Sequence, residues 1–124
     1  MAKILVIEDS ALMKVYLRRC LETQGFEVED WTPLSAMEIP GKLEESKPDL
    51  IITDYLMAGC NGATVARMAL KADPVPPVIC LTSSRDEDVV ANLNKFKVKQ
   101  VLYKPVTAEE IAAAVKPLLA NSGT

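Results

Sequence analysis

The chain has 124 residues, 49% hydrophobic and 25% charged, with 14 basic against 17 acidic side chains and a net charge of -3. That size fits one domain with a substantial core and leaves no room for a second, while the mild acidity excludes the basic bias of a direct nucleic-acid binder. No histidine is present, which excludes histidine-ligated metals, Ser-His pairs and a phosphohistidine in this chain.

Taken in chain order, the first apolar run, Lys3 to Ile7, reads as a strand and leads directly into Glu8-Asp9. Too little apolar sequence precedes those acids for a signal-peptide core, and no run approaches membrane length, so a cytoplasmic protein without a membrane partner is expected. Met13, Leu17, Cys20 and Leu21 then repeat at helical spacing, with Gly25 placed to close that helix. Glu27 to Trp31 is a weaker alternating strand, with Trp31 a packing residue. In the second helical stretch, 35–46, Pro40-Gly41 falls in the middle and predicts a shortened or kinked helix.

Leu50 to Thr53 is the third strand, and Val65, Met68, Ala69 and Ala72 form the stripe of the third helix. Val78 to Leu81 is the fourth strand, followed by Ser84-Arg85-Asp86-Glu87 in the form of a capping box. Gln100 to Tyr103 is the fifth strand. A second capping box, Thr107-Ala108-Glu109-Glu110, opens the last helix, whose stripe is Ile111, Val115 and Leu118 and whose end Pro117 is expected to fray or bend. Cys20, Cys60 and Cys80 are odd in number and widely spaced, which suggests neither disulfides nor a zinc site; Cys60 carries little weight as a redox sensor.

Alternating strands and helices in this length predict an α/β fold: a doubly wound, five-stranded parallel sheet with helices on both faces. Ligands of such sheets bind beyond the carboxyl ends of the strands. Those ends carry Glu8-Asp9, Asp54, Thr82 and Lys104-Pro105. Taken singly, each has a bland explanation: Asp9 or Ser10 capping the first helix, Thr82 or Ser83 starting the fourth, Lys104 solvated before a turn proline. Taken together, they fall where a single crevice would collect them. Clustered carboxylates repel unless a cation sits among them, and oxygen ligands point to a hard ion such as magnesium or manganese. An ammonium and a hydroxyl facing that ion suit a phosphoryl group, and Asp54 is the best-placed nucleophile.

Ile4-Leu5-Val6-Ile7-Glu8-Asp9-Ser10, Lys47-Pro48-Asp49-Leu50-Ile51-Ile52-Thr53-Asp54, Val78-Ile79-Cys80-Leu81-Thr82 and Tyr103-Lys104-Pro105, in that order, resemble the receiver domain of two-component response regulators. The likeness covers essentially residues 1–124, is similar in architecture to the single-domain chemotaxis regulators, and implies the flavodoxin-like strand order 2-1-3-4-5. It implies a signalling phosphoacceptor rather than an enzyme acting on other substrates. Asp54 would take a phosphoryl group from a histidine kinase or phosphotransfer protein, and slow self-dephosphorylation would follow, with Ser83 and Ser84 tuning access of water. Glu8, Asp9, Asp54 and the Leu56 carbonyl would hold magnesium, and Thr82 and Lys104 would contact the phosphoryl oxygens. The Lys104-Pro105 bond would be cis. The fourth helix, fifth strand and fifth helix would form the face that controls a downstream protein.

Four positions depart from the family pattern. Ala58 replaces a frequent proline, Pro40-Gly41 interrupts the second helix, and Lys97 stands where a glycine commonly ends the fourth. Val101 stands where an aromatic is usual, so signalling is expected to rely on smaller movements of Val101 and the helix 4 surface, with Tyr103 turned to a different neighbourhood. Lys95, Lys97 and Lys99 are either a solvated turn or a site for an acidic partner.

A nucleotide- or flavin-binding module is the rival on the same topology, but Glu8-Asp9-Ser10-Ala11-Leu12 has no phosphate-cradling glycines or Walker lysine. A phosphatase of the haloacid-dehalogenase type would need a second acid where Leu56 stands. A binding-only scaffold, and a receiver cut from a hybrid kinase or longer regulator, remain as alternatives. The tail from Ala120 to Thr124 reads as either a natural end or a linker stub.

Overall fold

A computed structural model describes residues 1–119; the tail from Ala120 onward lies outside the described residues. The elements are β1 (Lys3–Ile7), α1 (Ala11–Thr23), β2 (Glu27–Trp31), α2 (Ile39–Ser46), β3 (Leu50–Asp54), α3 (Gly62–Ala69), β4 (Val78–Thr82), α4 (Glu87–Lys95), β5 (Gln100–Tyr103) and α5 (Ala108–Leu119). The sheet is parallel throughout in the order β2-β1-β3-β4-β5, as expected from the sequence.

Successive strand residues point to opposite faces, and each face has its own core. Ile4, Val6, Leu50, Ile52, Ile79 and Leu81 pack with Leu17 and Leu21 of α1 and Ile111 and Val115 of α5. Leu5, Ile7, Ile51, Val78 and Cys80 pack with Ile39 and Leu43 of α2, Val65 and Ala69 of α3 and Leu93 of α4. β3 and β4 are buried along their whole length, which explains their unbroken apolar sequences.

Helix ends follow some of the sequence signals and depart from others. Gly25, at φ +92°, closes α1: its N–H donates to Glu22 O and that of Phe26 to Leu21 O, the Schellman arrangement. The box before α5 is intact, with Thr107 N–H donating to Glu110 and Glu110 N–H to the Thr107 hydroxyl. α4, however, is capped by Asp86 rather than Ser84. Asp86 accepts the Asp88 N–H while Ser84 Oγ accepts the Asp86 N–H, so the shorter aspartate turn starts the helix two residues later. Pro40 goes with a shortened second helix, as expected: a 3-10 turn over Ala36–Glu38 leads into α2, which starts at Ile39, and Pro40 occupies its first turn, where no intrahelical N–H is needed. Pro117 lies within the last turn of α5, whose described residues run to Leu119. Ala72, read as part of the third helical stripe, lies in the turn beyond α3.

Lys97 repeats the Gly25 geometry without being glycine. It sits at φ +62°, with its N–H donating to Asn94 O and that of Val98 to Leu93 O. An L side chain there is strained by roughly 1 kcal/mol, so Lys97→Gly is expected to stabilise the fold by about that amount, measured by denaturant unfolding.

An ion network absent from the sequence reading joins β2 to α2. Glu29 accepts hydrogen bonds from Lys42 and the Ser46 hydroxyl, with the Lys3 ammonium at 3.3 Å. Lys42, first among these, draws the Glu29 carboxyl down to about 2 from its ordinary 4.5. The depressed value means that the native state binds this proton more weakly than the unfolded chain does. The stabilisation is therefore complete above about pH 4.5 and is lost as pH falls toward 2. Glu29→Gln is expected to lower stability by about 1–2 kcal/mol at pH 7 and to flatten that acid limb in a pH series of unfolding curves.

Candidate phosphoryl and metal site

Alternation along the strands explains how the site is assembled. Glu8 continues the Ile4-Val6 phase of β1, Asp54 the Leu50-Ile52 phase of β3, and Lys104 the Leu102 phase of β5. All three side chains therefore take the next position along the core face beneath α1 and α5. Lys104 Nζ lies 2.9 Å from Asp54 Oδ1 and 4.0 Å from Glu8 Oε2. One carboxylate oxygen from each of Glu8, Asp9 and Asp54 falls within 4.8 Å of the others. Ser10, not Asp9, caps α1 by accepting the Met13 N–H, which leaves Asp9 to face the cluster.

Glu8 is fully buried. Its Oε1 accepts the Asp9 and Ser10 N–H groups at 3.0 and 3.1 Å, whereas Oε2, also buried, has no hydrogen-bond donor among the described residues. Burial raises its pKa, against the Ser10 N–H that lowers it, and the Asp54 charge raises it further. An orphaned buried carboxylate oxygen beside two more carboxylates fits a hard divalent cation, and the all-oxygen donor set favours magnesium or manganese over a softer ion.

Asp54 is buried. Its Oδ1 is paired with the Lys104 ammonium and accepts the Tyr55 N–H at 3.1 Å. The following loop is drawn close by two glycines. A Cβ on Gly59 would come within 2.5 Å of the Leu34 carbonyl oxygen, and one on Gly62 within 2.8 Å of Cys80 Sγ and 3.1 Å of Asp54 O. In that loop the Leu56 side chain is exposed, and its backbone pairs with Asn61 in an isolated antiparallel bridge. Ala58 contributes what a proline could not: its N–H donates to Asp9 Oδ2 at 3.2 Å. Sequence reasoning missed this donor because a backbone amide leaves no residue-type signal.

Thr82 is buried at the end of β4 on the opposite strand phase, with Cys80. Its hydroxyl accepts the Ser84 N–H at 3.0 Å and its carbonyl the Lys104 N–H at 2.9 Å. No hydrogen bond joins it to the carboxylates among the described residues. Ser83 is exposed and Ser84 half-buried beside it. The Lys104-Pro105 bond is cis, as is Asp73-Pro74.

On β5, Val101 packs against the α2–α4 core. Tyr103, two residues on, projects from the same face rather than to a different neighbourhood, because strand alternation returns it there. Its ring lies under the Arg85 guanidinium, 4.3 Å from the centroid. Lys95, Lys97 and Lys99 are all exposed around the α4–β5 turn. Cys60 is half-buried and burial pushes its thiol pKa up, which disfavours a reactive thiolate. Trp31 packs against the α2–α4 core with the Lys42 ammonium 5.7 Å from its ring.

Residues 4–116 match the family model described as the response regulator receiver domain. The chain is 33% identical over 119 residues to the phosphate regulon transcriptional regulatory protein PhoB of Rhizobium meliloti, covering 94% of this chain and 52% of that protein. It is 25% identical over 113 residues to the chemotaxis protein CheY of Thermotoga maritima, covering 91% and 93% respectively. Thus the chain spans about half of the first relative and nearly all of the second. Among solved structures, a response regulator receiver domain protein from Clostridium thermocellum is 31% identical with a TM-score of 0.84, covering 98% of this chain and 97% of that one. The receiver domain of a signal transduction histidine kinase from Syntrophus aciditrophicus is 29% identical with a TM-score of 0.87, covering 99% and 93%.

Proposed function

The chain belongs to the response regulator receiver domain family of two-component systems, and from that premise we propose that it is a phosphorylation switch whose acceptor is Asp54. The observation that carries this reading is the buried constellation itself: Asp54 held at Oδ1 by Lys104, beside a Glu8 oxygen that no donor satisfies. Glu8, Asp9, Asp54 and the Leu56 carbonyl would hold magnesium or manganese, which supplies neutralisation of the transferring oxygens when bound.

In this reading the free oxygen of Asp54 attacks the phosphorus of a phosphohistidine. The P–O bond to Asp54 forms as the P–N bond breaks, and the imidazole departs with the electron pair. The donor is a histidine kinase or phosphotransfer protein whose histidine lies outside these 124 residues, which contain none. Lys104 keeps one phosphoryl oxygen by charge and the Thr82 hydroxyl donates to another. The acyl phosphate later hydrolyses in the same pocket, with Ser83 and Ser84 flanking the route of water.

Residues 1–124 are read as one receiver unit that controls a downstream protein through α4, β5 and α5, without touching nucleic acid or a membrane. No helix among the described residues is long and apolar enough to cross a membrane. The exposed Lys95, Lys97 and Lys99 fit an acidic partner. Coverage of only about half of PhoB also accommodates a second reading, that this unit works within a longer regulator.

The deciding experiment is intact mass after incubation with acetyl phosphate and magnesium, beside a chelator control. One phosphate added, and none with chelator, is the expected result. No increment in the folded protein, repeated with a phosphohistidine donor, would make a binding-only scaffold the better reading.

A further inference from the structure

The loop that leads from Asp54 into α3 is pinned at several points. The Gly62 N–H donates to the Tyr55 carbonyl at 2.8 Å and closes it at the base. Leu56 and Asn61 pair just inside that closure, the Met57 side chain is buried in the α2–α4 core, and Gly59 lies against the Leu34 carbonyl. Ala58 is exposed near the tip. Its N–H reaches across to the β1–α1 loop and donates to Asp9 Oδ2 at 3.2 Å, 49 residues away in sequence. Asp9 is itself exposed and caps no helix. Among the described residues no other N–H or ammonium donates to its carboxylate, so one backbone amide on a pinned loop is what orients it.

We propose that the Ala58 N–H is a positioning donor for the metal site: it fixes the Asp9 carboxylate and ties to it the loop that carries the Leu56 carbonyl. The proposal rests on the reading of Glu8, Asp9, Asp54 and the Leu56 carbonyl as the metal ligands. A carboxylate free to swing has to be ordered when an ion arrives, whereas one already held by a rigid donor does not. Donors behind a ligand change metal affinity by about 10–100-fold, and a single neutral amide at an exposed position belongs at the lower end. Linkage makes the effect reciprocal: the factor that the hydrogen bond adds to ion affinity is the factor that the ion adds to closure of the hydrogen bond. Ala58 touches no reacting atom. Its contribution comes from the backbone, so every residue type except proline can supply it at this position.

The test is an NMR titration of nitrogen-15-labelled protein with magnesium chloride, with amide hydrogen exchange followed in the same samples and Ala58→Gly assigning the Ala58 resonance. Ala58→Pro is expected to bind magnesium about tenfold more weakly than wild type, and Ala58→Gly, which keeps the N–H, within about twofold of it. In an Asp9→Ala background, where the acceptor is gone, Ala58→Pro is expected to change the dissociation constant by less than about twofold. Saturating magnesium is expected to slow exchange of the wild-type Ala58 N–H by about tenfold, the reciprocal of the affinity effect. Wild-type affinity in folded Ala58→Pro, or a tenfold loss that persists in the Asp9→Ala background, overturns the donor; the second result assigns the effect to loop rigidity instead. Where Ala58→Pro does not fold, the exchange measurement decides, since protection of the Ala58 N–H unchanged by bound magnesium overturns the proposal without any substitution. Absence of magnesium binding to wild type, or binding undiminished in Asp9→Ala, removes the metal reading and the positioning role with it.

Discussion

Asp54→Asn is expected to lose the acetyl-phosphate mass increment completely while unfolding at a denaturant midpoint close to that of the wild type. The two halves of this expectation rest on different contacts. Loss of loading follows from the nucleophile: Asp54 Oδ1 is occupied by Lys104 and the Tyr55 N–H, no described residue donates to Oδ2, and an amide offers that position no competent nucleophile. Little change in stability follows because two effects oppose each other. The amide gives up the pairing with Lys104 but also removes one of three crowded carboxylates. A single-phosphate increment surviving in Asp54→Asn would place the acceptor elsewhere in the chain.

Magnesium is expected to stabilise the wild-type protein strongly and Glu8→Gln hardly at all. A ligand at a hundred times its dissociation constant adds about 2.7 kcal/mol to the folded state, and the buried Glu8 Oε2, which no hydrogen-bond donor among the described residues satisfies, is where a cation has most to offset. The same substitution without metal is expected to act in the opposite direction. Gln removes the charge of a fully buried side chain, relieves its repulsion with Asp54, and offers an N–H to the carboxylates in place of a bare oxygen. Metal-free Glu8→Gln is thus more stable than metal-free wild type, and the order reverses as magnesium is titrated in. Denaturation curves of both proteins across a magnesium series measure this crossing; parallel curves would put the ion outside the Glu8 cluster.

The sequence revealed most where a residue's neighbours in space follow from its place in a strand. The carboxyl ends of five parallel strands must share one edge, so Glu8, Asp9, Asp54, Thr82 and Lys104 could be expected together before any contact was known. Less was legible where the outcome turned on competition between near-equal local signals. Ser84 and Asp86 could both cap α4, and the aspartate prevailed by accepting the Asp88 N–H. Pro40 could break a helix or begin one, and the 3-10 turn ahead of it decided the matter. Tyr103 shares a face with Val101 through the two-residue strand period, a relation that the unusual residue at position 101 does not by itself disclose. The Glu29–Lys42–Lys3 network and the Ala58 amide on Asp9 join segments far apart in sequence and left no motif to read.

Because Glu8, Asp54 and Lys104 occupy the same strand phase as Val6, Ile52 and Leu102, packing and chemistry share one reading frame. Deleting a single residue within β3 would turn Asp54 toward α3 and α4 and send an apolar side chain into the carboxylate cluster, while also inverting the core. Loop insertions carry no such penalty. Descendants of this chain are accordingly free to lengthen or shorten the connections between elements and to acquire new partners there, but cannot slide a strand without forfeiting the pocket and the fold together.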